Sequence, residues 1–96
     1  MSPSNKKKLN VIRVKLDKLD NKLLSLIKYR TSLVREVLKL KEFKKEIVDK
    51  KRISFILNKI KGKSIKLKID PKITNRIWKN MIWSYIDFER RNFKKK

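Results

Sequence analysis

The chain has 96 residues, with 30 Lys and Arg against 9 Asp and Glu, a net charge of +21 and 40% hydrophobic residues. It contains no cysteine and no histidine, which excludes a disulfide framework, a thiolate or imidazole metal site and a Ser–His–Asp triad, so no metal or cofactor is expected. No uninterrupted apolar run exceeds three residues (Phe55–Ile56–Leu57 and Met81–Ile82–Trp83); no segment reads as a signal-peptide core or a membrane span, and the cytoplasm is the expected compartment.

Gly occurs once, at Gly62, and Pro twice, at Pro3 and Pro71. Such sparse punctuation predicts long helices. Residues 1–8 and 94–96 read as basic, solvated, disordered tails around one helical domain over 9–93. From about Leu9 to Glu42 a seven-residue repeat is sustained without a breaker. Ile12, Leu19, Leu26, Leu33 and Leu40 form one column; Leu9, Leu16, Leu23, Arg30 and Val37 form a second; Arg13, Asp20, Ile27, Val34 and Lys41 form a third. A helix of that length is roughly 50 Å long, whereas a compact monomer of this size has a radius of gyration of about 12–13 Å. A lone chain would leave the stripe wet, which predicts an intertwined homodimer.

Lys44–Val48 reads as a short loop and Asp49 as the N-cap of a second helix, with Ile53, Ile56, Leu57 and Ile60 on one face and Gly62 at its end. Ser64–Ile69 reads as a linker or fraying helix end. Asp70-Pro71 starts a third helix, which runs to about Phe93 and places Trp78, Ile82, Tyr85 and Glu89 on one face. The expected class is therefore all-α: three helices, one very long, in an intertwined homodimeric bundle.

The charge invites a nucleic-acid partner, but lysine supplies 23 of the 30 cations while Ala, Gln and His are absent, a bias that A/T-rich coding produces in any protein. More informative are the charges that break the apolar pattern. Arg30 interrupts a column, Arg13 and Lys41 end another, and Glu89 closes an aromatic stripe. Buried charge is costly unless paired, and positions where local patterning fails are where function concentrates. Each also has a plain alternative: a snorkelling or internally paired Arg30, solvated Arg13 and Lys41, an exposed Glu89, and Trp78, Trp83 and Tyr85 as packing residues. Taken together, the cations suit a small dry pocket for a dicarboxylate, which guanidinium groups clasp in bidentate fashion. With no nucleophile–base pair and no metal cluster, a reaction there would rest on orientation and charge stabilisation.

The order of elements over 9–93 resembles the all-helical (AroQ-type) chorismate mutases. The motifs that carry the resemblance are Arg13 followed by Leu19-Asp20-Asn21-Lys22-Leu23-Leu24, then Tyr29-Arg30, Lys39-Leu40-Lys41, Val48-Asp49-Lys50-Lys51-Arg52, Ile77-Trp78, Met81-Ile82 and Tyr85-Ile86-Asp87-Phe88-Glu89. The resemblance implies two equivalent sites, each shared between interleaved chains, with chorismate as substrate. Arg13 would come from the partner chain and hold one carboxylate. Arg30 would hold a carboxylate from within the chain, and Lys41 would contact the ether oxygen. Arg52 would assist in carboxylate binding, Asp49 would bond the substrate hydroxyl or cap its helix, and Tyr85 would line the site. Arg30, Lys41 and Glu89 would be catalytic.

Two positions depart from the family pattern. Ile53 stands where members usually carry a glutamate for the ring hydroxyl, a feature similar to the isochorismate–pyruvate lyases. Glu89 stands where many carry glutamine. Glutamine donates an N–H at any pH, whereas glutamate donates only when protonated. The leading expectation is the Claisen rearrangement of chorismate to prephenate, in aromatic amino acid biosynthesis. The alternatives are pyruvate elimination from isochorismate, giving salicylate, and a non-enzymatic nucleic-acid binder. Against the last, the basic residues spread over every segment and no RNP-like or helix–turn–helix pattern occurs, so no specific nucleic-acid partner and no membrane partner is expected.

Overall fold

The computed structural model describes residues 1–94. Among them the chain is all-α: α1 spans Pro3–Leu40, α2 spans Lys50–Lys66 and α3 spans Pro71–Asn92, with a single 3₁₀ turn at Lys44–Glu46 and no strand. None of these helices is long and apolar enough to cross a membrane. The chain divides into two compact units, the first ending at Leu33 and the second beginning at Val34.

The first unit is the N-terminal part of α1. The helix begins at Pro3, six residues before the apolar repeat. Ser2 caps it, its hydroxyl accepting the Asn5 N–H at 3.1 Å, and proline takes the first helical position, where its missing N–H costs nothing. Residues 3–8, expected as an unstructured tail, are thus the first turns of a helix; their lysines are solvated, as expected. Lys95 and Lys96, the last residues of the expected C-terminal tail, lie outside the described residues. Within this unit the apolar columns stay wet: Ile12, Leu16, Leu19, Leu23 and Leu26 are all exposed, Leu26 at 63%.

The second unit holds the core. Leu38 from the last turns of α1, Ile47 from the loop, and Ile82 and Ile86 from α3 are buried together. Val48, Ile53, Ile56, Leu57 and Phe93 pack against them. The predicted faces of α2 and α3 are the ones that pack, because apolar residues three and four apart share one side of a helix. Between those two helices the buried Ser64 hydroxyl lies 2.7 Å from that of Thr74 and donates to the Ile60 carbonyl at 2.6 Å, so its polar atoms are satisfied without water.

Gly62 does not end α2. It is an interior helical residue, and the helix continues to Lys66. The left-handed position falls on Lys68, with φ 59°. There the Lys68 N–H donates to the Ile65 carbonyl at 3.1 Å and the Ile69 N–H to the Ser64 carbonyl at 2.9 Å, the paired bonds of a Schellman end. The linker expected over Ser64–Ile69 is therefore half helix and half cap. Three residues then suffice to reach Asp70, whose carboxylate accepts the Lys72 N–H at 2.9 Å and starts α3.

Two substitutions follow directly. Gly62 has nothing within 4 Å of an added Cβ, so Gly62→Ala should raise stability by about 1 kcal/mol through helix propensity alone. Lys68→Gly should add about 1 kcal/mol by removing the Cβ strain of a left-handed residue. Urea denaturation checks both; a stability loss in either variant would contradict the assigned backbone.

Candidate active site

Lys41 and Glu89 meet. Glu89 lies on the same stripe of α3 as Ile82 and Ile86, seven and three residues earlier. The packing that buries those isoleucines also buries its carboxylate, which is 8% exposed. Lys41 Nζ lies 3.0 Å from Glu89 Oε1 and donates to it. A buried carboxylate without such a partner would be strongly destabilising.

Lys41 is not the last residue of a helical column. α1 ends at Leu40, and Lys41 opens the loop that runs to Asp49. Its backbone N–H still donates to the Leu38 carbonyl at 3.2 Å. The loop beyond is fixed by Glu46, whose Oε1 accepts the N–H groups of Glu42 at 3.3 Å and Phe43 at 3.0 Å. The buried Ile47 pins it to the core. Lys41 is thus held from both sides, and its ammonium is aimed by tertiary packing instead of by helix phase. Glu46 went unremarked in the sequence; its signal was the spacing of three from Phe43, at which a glutamate returns to cap a turn.

Beside Lys41 opens a cleft of about 510 Å³ lined by Glu46, Val48, Asp49, Lys50 and Lys51 as well as Lys41 itself. Asp49 has the capping role foreseen for it, its Oδ1 accepting the Arg52 N–H at 3.0 Å, and also borders the cleft. Arg52 is exposed, and its guanidinium sits over the Phe55 ring, 5.3 Å from the centroid. Ile53 is half-buried and packs against the central cluster. Tyr85 is half-buried with its ring edge-on to Phe88, at 6.4 Å between centroids and 86° between planes.

Arg13 and Arg30 belong to the first unit. Arg13 is exposed on α1 and Arg30 is half-buried. Seventeen residues of continuous helix separate them, about 26 Å along the axis at 1.5 Å per residue. That is well beyond the reach of two arginine side chains toward one small molecule. The two arginines of a single chain therefore cannot clasp the same dicarboxylate.

What the second unit offers chemically is a cation and a carboxyl, mutually oriented and mostly shielded from water, at the edge of a lysine-rich cleft. The ammonium of such a pair can bind an anion and donate a hydrogen bond to an oxygen on which charge develops. Among the described residues no group of acids, histidines or cysteines could hold a metal ion. A family model described as chorismate mutase type II matches residues 12–90. Neither the curated proteins nor the solved structures give a significant match.

Proposed function

The chain belongs to the chorismate mutase type II family, an isomerase family, and from that premise we propose that it converts chorismate to prephenate. The observation that carries the proposal is the Lys41–Glu89 pair, a buried carboxyl and an ammonium 3.0 Å apart. The rearrangement is intramolecular. The ether C–O bond breaks as a C–C bond forms, no proton or electron is exchanged with the protein, and no cofactor is required. Negative charge gathers on the ether oxygen in the transition state. Lys41 donates to that oxygen and stabilises it, and the Glu89 carboxyl is a second donor only in its protonated form. The family pattern assigns one substrate carboxylate to Arg30, and Asp49 borders the cleft beside Lys41. The cations select the folded, reactive conformer, which removes part of the entropic barrier.

The second carboxylate requires Arg13 of the partner subunit, since the chain's own Arg13 and Arg30 stand about 26 Å apart along α1. A homodimer also covers the wet columns of α1. Leu19→Glu/Leu26→Glu should yield a folded monomer by sedimentation with turnover reduced at least a hundredfold. A fully active monomer would exclude the shared site.

Ile53 supports a second activity of the same fold, elimination of pyruvate from isochorismate to give salicylate, because its side chain offers no acceptor for a ring hydroxyl. Incubating the purified protein with each substrate separately decides between them. Prephenate from chorismate is expected; salicylate and pyruvate from isochorismate, with chorismate left unchanged, would replace the mutase assignment by the lyase.

A further inference from the structure

The mutase chemistry uses few of the chain's thirty cations, and their placement on the second unit is uneven. Between Lys50 and Ile86 stand eleven Lys and Arg residues and a single acid, Asp70. That acid is already committed, its Oδ1 accepting the Lys72 N–H at the start of α3. α2 carries no acid at all, and its cations are exposed. A/T-rich coding accounts for many lysines but not for the near-absence of acids from Lys50 to Ile86; the two acids of α3, Asp87 and Glu89, stand beyond that stretch.

The hairpin also has a shape. A groove of about 280 Å³ runs between α2 and α3, lined by Leu57, Asn58 and Lys61 from one helix and Pro71, Lys72 and Asn75 from the other. It sets one lysine from each helix on its walls, two carboxamides beside them and an apolar floor of Leu57 and Pro71. We propose that the α2–α3 hairpin binds single-stranded nucleic acid without sequence preference, with this groove as its seat. The lysines neutralise backbone phosphates. The carboxamides both donate and accept, so they can meet the edge of any splayed base, and the apolar floor takes its face. A duplex pairs its Watson–Crick edges internally and stacks its bases, leaving Asn58 and Asn75 only groove edges and the apolar floor no exposed base face. The proposal is independent of the mutase activity, since none of these groove residues belongs to the Lys41–Glu89 site.

The test is fluorescence anisotropy with a labelled 16-nucleotide oligouridylate across a salt series, using the full chain. Lys61→Glu/Lys72→Glu should weaken binding at 100 mM salt at least tenfold. Losing two phosphate contacts should also flatten the slope of log affinity against log salt by about 1.4. The neutral pair Lys61→Gln/Lys72→Gln should show the same slope change with a smaller loss, and circular dichroism should show intact helices in both. Asn58→Ala/Asn75→Ala should weaken binding without changing the slope. Lys6→Glu/Lys7→Glu makes the same change in net charge elsewhere and should cost less than threefold. Equal losses from the two charge-reversed pairs would overturn the proposal in favour of diffuse attraction to a +21 chain. So would competition by a 16-base-pair duplex, or by inorganic polyphosphate of matched charge, as effective as that of the unlabelled oligonucleotide.

Discussion

Lys41→Ala is expected to lower kcat by two to three orders of magnitude, about 2.7–4 kcal/mol, the range for deleting one donor aimed at a developing oxyanion. It should also destabilise the fold, because the Glu89 carboxylate, 8% exposed, then has lost the ammonium 3.0 Å away. Stranding one member of a buried pair costs about 3–5 kcal/mol. The two effects separate in a double variant. Lys41→Met/Glu89→Met replaces the pair by apolar side chains of similar length, which is often neutral or stabilising. It should regain the stability measured in urea while remaining catalytically dead. Near-normal turnover in Lys41→Ala, measured by chorismate depletion on folded protein, would remove Lys41 from the mechanism. Recovered turnover in the double variant would reduce the ion pair to a structural role.

Glu89→Gln is expected to match or exceed the parent kcat at neutral pH. A glutamine always carries an N–H that can be donated to the ether oxygen, whereas the parent carboxylate accepts a hydrogen bond from Lys41 and donates only in its protonated form. Single-turnover measurements keep product release from masking the chemical step. A kcat lowered about a hundredfold in folded Glu89→Gln, the size expected for a lost transition-state contact, would show that Glu89 acts through its charge and not as a donor.

Much of this was legible in the sequence because it depends on short-range chemistry. Asp49 and Asp70 announced helix starts, and both carboxylates do accept an N–H of the first turn. The stripe of Ile82, Tyr85 and Glu89 set which side of α3 would be covered. Where sequence and structure differ, tertiary competition overrides a local signal. Gly62 signals a stop, yet α2 runs past it, with Ile60 half-buried and Ser64 buried, and the left-handed turn falls on Lys68. The lysines of residues 3–8 signal a tail, yet Ser2-Pro3 caps a helix there. Heptad phase carries α1 to Lys41, yet the helix stops one residue short of it.

The sequence alone determined the helical class, the faces that pack and the identity of the charged residues that violate the pattern, since periodicity, capping and burial cost act within a few turns of one helix. It could not determine that Lys41 and Glu89, 48 positions apart, would form one buried pair. That contact depends on where a nine-residue loop lets the chain turn, on Ile47 entering the core and on Glu46 gathering the loop's N–H groups. Those are long-range balances of burial against backbone hydrogen bonding, and only the folded unit resolves them.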